Sequence, residues 1–378
     1  MNPSAKPSAF FLYRDSALRR EALDSPSHSP ARYSLYGLDE MADSGFDVGH
    51  NLEPRFAPGL ASRTAGSALR GGVRLIGGYP GDFAAVLACR QALNASDVVF
   101  STVDTVGIPL ALLSRARLVR RPIVYAAIGL PERLEQLRSR AARKLFVSAY
   151  RRLDTIVAYG WGEVDALRLW LGEQGPSVVF VPFGVDTQLF SPDPARPCDE
   201  HVVSIGSDPR RDLALLIELA RRHPEWLFRI IAAGDRAKTL EGTPENVEVE
   251  LDVTLETVRD RLLRARVVVL PVRENSYSGA TTVLLQAMAC GKPVVVSRTA
   301  AIEQGYHLED GHNCRLVPPG DIEALGEAVS SLLANDAAAA ALGRRARETA
   351  EAHLTWERYT DAIHDLLLAA AGRTTVSA

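Results

Sequence analysis

Between Val267 and Asp321 the chain carries residues whose types and order suit the binding of a phosphate-like anion. Val267-Val-Val-Leu270 is a β-branched run stopped by Pro271, which reads as a buried parallel strand. Asn275-Ser-Tyr-Ser-Gly279 follows, small and polar, and then Thr281–Ala289, apolar at helical spacing and ended by Gly291. Val294–Val296 reads as a second buried strand. A small-residue loop between a strand and a helix N-terminus is where an open α/β sheet holds phosphate, because free backbone N–H groups and the helix dipole both favour an anion. Ser278, Gly279, Ala280, Thr281 and Thr282 would present those amides, with the two threonine hydroxyls as added donors. Ser278 or Thr281 can equally serve as an ordinary N-cap, and the two roles are compatible.

Other residues could join such a site. Arg210 and Arg211 stand at the predicted start of a helix, Arg211–Arg222, where cations oppose the macrodipole. They are either a solvated basic helix start or partners for an anion nearby. In the earlier half, Ser101-Thr-Val-Asp-Thr-Val-Gly107 follows a strand end, so Asp104 is a candidate substrate contact or simply an Asx turn. Glu132 and Arg133, after the strand expected at Pro122–Ala127, either face the same crevice or, following Pro131, simply make a good helix start. No Asp-x-Asp occurs in the chain, nor any G-x-S-x-G, H-E-x-x-H or Walker A pattern.

The elements that must position these residues alternate regularly. Ala9–Tyr13 reads as a first strand and Arg14–Arg32, rich in Ser, Pro and charge, as a mobile loop. A short helix from Tyr36 to Gly45 leads into a strand at Phe46–His50. Strands are then expected at Val73–Ile76, Asp97–Ser101, Pro122–Ala127, Thr155–Ala158 and Val178–Val181. Helices at Asp82–Leu93, Ile108–Leu118, Glu132–Leu153 and Glu163–Leu171 separate them. Pro182-Phe-Gly-Val-Asp-Thr-Gln-Leu-Phe-Ser-Pro192 is a turn-rich linker, after which the β-α alternation restarts at His201–Ile205. The repeated β-α-β units argue two doubly wound parallel sheets, one in residues 1–190 and one in residues 191–355.

Composition narrows the classes. The chain has 378 residues, 47% of them hydrophobic and 24% charged, with a net charge of −3, so nothing argues for nucleic-acid binding. Four scattered cysteines without a C-x-x-C pair suggest a reduced compartment. With no signal-peptide pattern and no apolar run near 20 residues, a cytoplasmic protein is expected. Around Leu130–Leu153, an apolar stripe of Leu130, Leu134, Leu137, Ala141 and Leu145 is flanked by seven basic residues. Such a helix either packs in the core with a solvated basic face or lies peripherally on an anionic membrane.

Leu284-Leu-Gln-Ala-Met-Ala-Cys-Gly-Lys-Pro-Val-Val295 resembles, nearly residue for residue, the donor-binding half of GT-B glycosyltransferases of family 4. The 182–192 linker and the Val203–Leu216 segment are similar to that family as well. The resemblance implies an α/β GT-B fold, two Rossmann-like domains facing a cleft with the terminal helix 356–372 packing back on the first, and a retaining, metal-independent hexosyltransferase without a cofactor. Its co-substrate would be a nucleotide sugar, UDP favoured. Its acceptor would be a hydroxyl on a small molecule, a glycan or a lipid-linked carrier. By resemblance, Arg210 and Arg211 neutralise the donor diphosphate, Arg211 in place of a family Lys, while Ser207 stands where the family has Arg. Gly37 falls near the donor phosphates, or is an ordinary helix start. Asp252 and Val253 lie where the base would be selected. The two family glutamates fall on Ser278 and Gln286. An amide at 286 can still meet the ribose, or it is a core amide; Glu274 is the nearest acid that could orient the sugar, with Asp104 facing it or the acceptor. The alternatives are another GT-B enzyme, such as a phosphorylase, synthase or epimerase, or a weakly catalytic sugar-nucleotide-binding partner subunit.

Overall fold

The computed structural model describes residues 6–196, 198, 201–206, 208–275, 277 and 279–374. Two compact units emerge, one of Met1–Val181 with Thr360–Ala378 and one of Pro182–Tyr359. The chain thus changes unit at the first residue of the expected linker, and the last helix, Trp356–Thr374, contributes to both.

The first unit holds β1 (Ser8–Leu12), β2 (Asp47–His50), β3 (Val98–Ser101), β4 (Ile123–Ala126), β5 (Thr155–Ala158) and β6 (Ser177–Phe180). They form one sheet in the order β2-β1-β3-β4-β5-β6, every pairing parallel. The second unit holds β7 (His201–Ile205), β8 (Leu227–Ala232), β9 (Val247–Leu251), β10 (Val267–Leu270), β11 (Val294–Ser297) and β12 (Arg315–Val317). Their order is β12-β11-β10-β7-β8-β9, again all parallel. The uniformly apolar runs fall where they must: β10 and β11 are buried along their whole length, as central strands covered on both faces are. Helices surround each sheet and close a core of its own.

Three expectations fail for physical reasons. Val73–Ile76 belongs to the helix Leu60–Leu75 and its cap, not to a strand. Its short apolar run is the end of an amphipathic face, and Gly66 lets that helix approach the backbone of Ala84, where a Cβ would lie 2.8 Å from the amide nitrogen. Arg14–Arg32 is ordered: Ser16 caps a helix over Ala17–Asp24. Arg32 pins that segment, donating to the carbonyls of Ala22 and Leu23 at 3.1 Å and pairing with Asp39 at 2.5 Å. The long helix expected over Glu132–Leu153 is two, Leu130–Glu135 and Arg140–Tyr150, the second started afresh by Ser139 accepting from the Ala142 amide at 3.1 Å. The continuous stripe is therefore absent. Leu130, Leu134 and Leu137 are core residues, Ala141 and Leu145 are exposed, and the second helix buries Ala142, Phe146, Ala149 and Tyr150 instead. No helix among the described residues is long and apolar enough to cross a membrane.

Candidate functional site

In the second sheet the chain leaves β7 toward β8 and β9, then returns to β7's other side with β10. The order reverses between β7 and β10, and the crevice outside the carboxyl ends of two such strands is where open α/β sheets bind ligands. The two loops that form it are stitched together. Arg211 and Val272 make an antiparallel bridge, the Asp212 amide donates to the Pro271 carbonyl and the Arg273 amide to the Arg210 carbonyl, both at 2.9 Å. Sequence order alone puts sixty residues between these loops; strand order makes them neighbours.

Arg211 is 3% exposed. Its guanidinium donates to the Ile205 carbonyl at 2.6 Å and the Ser204 hydroxyl at 2.8 Å, while Nε has no partner among the described residues. Gly206, with φ +141°, makes room for it: a Cβ there would sit 2.7 Å from Nη1. No carboxylate forms an ion pair with Arg211 among the described residues. Burial pushes its pKa down to about 10, with only Asp208 pulling the other way. A buried cation with a carboxylate nearby but none paired to it costs several kcal/mol in desolvation that protein dipoles recover only in part. The solvated-helix-start reading of Arg211 is thereby excluded. The helix itself begins at Leu213, with Asp212 as its cap accepting from the Leu215 amide at 3.3 Å.

The helix Thr281–Ala289 opens on the same crevice, and its N-cap, Ala280, gives it no side-chain cap. Its inner face is locked by Leu284, Leu285, Ala287 and Met288, all fully buried. The Thr281 hydroxyl is buried and unpartnered among the described residues, as is Oδ1 of Asn275, whose amide donates to the Arg273 carbonyl at 2.6 Å. Thr282 is exposed and Gln286 half-buried, one turn apart on one face. Gly279 and Arg210 adjoin: a Cβ on the glycine would lie 3.5 Å from that of Arg210. Glu274 is exposed and accepts from the amides of Asn275 and Ala300 at 3.2 and 3.1 Å, tying the loop after β10 to the loop after β11. Val253 is half-buried beyond β9, next to Asp252, which holds the Gly234 amide at 2.9 Å. Ser207 and Ser278 lie outside the described residues.

Asp208 carries no motif that singles it out in the sequence. Its Oδ1 accepts from the Arg210 amide at 2.7 Å and the Tyr277 hydroxyl at 3.2 Å. The Asp-Pro pair that begins this turn is a turn signal, but nothing in it says which way the carboxylate faces.

Two further expected site residues lie in the first unit, each in contacts of its own. Gly37, with φ +91°, begins the helix Leu38–Asp43 and packs against Thr360, whose Cγ2 would be 3.1 Å from a Cβ. Asp104 is 3% exposed. Tyr125 Oη donates to it at 2.5 Å, the Ile128 amide at 3.1 Å and Arg133 Nε at 2.5 Å. With both oxygens engaged, Asp104 holds the turn after β4. Arg133 in turn lies 4.0 Å over the Tyr79 ring. Beneath the same turn, fully buried Glu163 accepts from the Leu130 amide at 3.0 Å, and its other oxygen is unpartnered among the described residues. Burial, reinforced by Asp104, pushes its carboxyl well above the usual range.

Residues 202–335 match the family model of glycosyl transferases group 1. The chain is 30% identical over 220 residues to a GDP-mannose-dependent alpha-(1-6)-phosphatidylinositol monomannoside mannosyltransferase of Mycolicibacterium smegmatis, covering 51% of this chain and 57% of that protein. It is 24% identical over 303 residues to the MMP alpha-(1->4)-mannosyltransferase of Mycolicibacterium hassiacum, covering 75% and 70%. Among solved structures, a sucrose-phosphate synthase from Thermosynechococcus elongatus superposes with a TM-score of 0.72 at 18% identity, over 96% of this chain and 98% of that one. Anabaena HepE in complex with UDP-glucose gives 0.69 at 18% identity, over 96% and 99%. The chain has the GT-B fold of these structures, and its residues 202–335 are similar to the glycosyl transferases group 1.

Proposed function

We propose that this protein is a glycosyltransferase that moves a sugar from a nucleoside diphosphate donor to a hydroxyl acceptor, with the donor diphosphate seated between the loops after β7 and β10. The observation that carries this is Arg211: a buried guanidinium with no carboxylate paired to it among the described residues, under an uncapped helix end at the point where strand order reverses. A diphosphate supplies the missing counter-charge, and charge-assisted hydrogen bonds from arginine and main-chain amides suit its oxygens. As the donor bond breaks, negative charge grows on the leaving diphosphate, and donors already aimed there stabilise it without reorganising. In the retaining, same-face course implied by the family 4 resemblance, that leaving group takes the acceptor's proton. Asp104, locked in its own network, has no part in it.

The donor is read as a nucleoside diphosphate hexose. A UDP-sugar is the expectation from resemblance, while the M. smegmatis relative is named as GDP-mannose-dependent. A thermal-shift panel of UDP, GDP, ADP and their sugars, followed by nucleoside diphosphate release on adding acceptors, tests both steps. A ligand at 100 times its Kd stabilises by about 2.7 kcal/mol. For the acceptor, exposed Arg140, Arg143, Lys144 and Arg151 surround Val147 and Trp170 in an open groove and favour an anionic molecule or lipid-linked carrier. The second reading, a sugar-nucleotide-binding partner subunit, is favoured by the neutral amide at Gln286. It predicts nucleotide binding with no release in the same assay.

A further inference from the structure

The mouth of the helix Thr281–Ala289 already has an anion beside it. Asp208 Oδ1 lies 3.0 Å from where a Gly279 Cβ would be, one residue before the helix cap. It is held there by the Arg210 amide at 2.7 Å and the Tyr277 hydroxyl at 3.2 Å, so both loops grip it. The groups around it are Arg210 and Arg211 on its own loop, Tyr277 on the loop after β10, and Arg236 on the turn after β8, whose charge it also feels. The built feature beneath is the buried Arg211, whose Nε has no partner among the described residues. Any diphosphate laid on the amides of Gly279 to Thr282 therefore meets a carboxylate at close quarters.

We infer that Asp208 is a resident anion of the phosphate site, holding the two loops together when no donor is bound and opposing the diphosphate when one arrives. This rests on the donor reading above. At contact distance in a half-buried site, two like charges repel by far more than they do in water. The carboxylate then swings away from Gly279 or takes up a proton, and in either case it weakens the grip on the spent diphosphate. Asp208 is on this account a positioning residue that sets donor and product affinity, not one that reacts.

The test is calorimetry on wild type, Asp208→Asn and Asp208→Ala with inorganic pyrophosphate, UDP, GDP and uridine, at fixed salt, with and without Mg2+. Asn keeps an acceptor for Arg210 and Tyr277 and removes only the charge; Ala removes both. The expected result is about tenfold tighter pyrophosphate and nucleoside diphosphate for Asn, unchanged uridine, and a fall in donor KM larger than any change in kcat. A merely structural role would weaken binding, so tightening is diagnostic. Three results overturn the inference: equal or weaker diphosphate binding by Asn; a wild-type affinity that needs Mg2+ and is lost in Asn, which would make Asp208 a cation ligand; or weaker sugar nucleotide with unchanged diphosphate. If wild type binds nucleotides and Asn binds them no tighter, this inference falls while the donor reading stands. If no folded form binds pyrophosphate or a nucleotide, both fall.

Discussion

Two helix starts, one in each unit, face the same electrostatic problem and solve it differently. At the helix Leu130–Glu135, Glu163 reaches up to the Leu130 amide and Asp104 neutralises Arg133 in its last turn, so both charges are answered from within. The helix Thr281–Ala289 has no side-chain cap, and the buried Arg211 beside it forms no ion pair among the described residues. Both are buried-charge arrangements after a central strand of a parallel sheet. Where the charges close on each other, the residues hold a turn in place. Where no ion pair closes, the desolvation cost is only partly recovered within the fold, Asp208 acting on Arg211 without pairing to it. On the donor reading proposed above, it is unpaired buried charge, not buried charge alone, that marks the site.

The comparison can be broken by mutation. The largest effect is expected for Asp104→Asn, which leaves the Arg133 charge facing an amide: about 3 kcal/mol of stability is lost, read by denaturant unfolding, with nucleotide affinity unchanged. A loss of affinity with intact stability would return Asp104 to the substrate. Arg211→Met should do the reverse. Ligand-free stability holds or rises, since an unpaired buried cation is replaced by an apolar chain of similar length, while nucleoside diphosphate affinity falls about 100-fold. An unaltered thermal shift would remove the diphosphate from this crevice.

A third test concerns pH. The folded-state pKa of Glu163 is raised above its unfolded value by burial, so its ionisation opposes folding. Its contribution to stability is fully present below the unfolded carboxyl value, about pH 4.3, and is lost as pH rises toward the raised folded value. Glu163→Gln, which keeps the acceptor for the Leu130 amide, should flatten that decline above the unfolded carboxyl range, and an unchanged slope would place the titrating group elsewhere. Thr281→Val should matter least. Ligand-free stability is kept or improved, because the buried hydroxyl has no partner among the described residues, and diphosphate affinity falls a few-fold, by about 1 kcal/mol.

Much of this architecture is legible in the order of residues. The runs Val267–Leu270 and Val294–Val296, the helix Thr281–Ala289 and the linker at Pro182 all follow from composition, periodicity and punctuation, which act locally. The roles of Asp104 and Glu163 are not legible there. An acid in the first turn of a helix looks alike whether it faces water or the underside of a turn thirty residues away. Asp208 escapes for the same reason, and so does the split of 132–153, because Ser139 competes as a cap only once Leu130, Leu134 and Leu137 are packed.

By itself, the amino-acid sequence determined the alternating parallel sheets and the phosphate-type loop, because hydrophobic period and turn chemistry are short-range properties. Only the tertiary structure decided which charges are answered and which are left open. That depends on strands β7 and β10 lying side by side, and on which side chains the packed core shuts away from water.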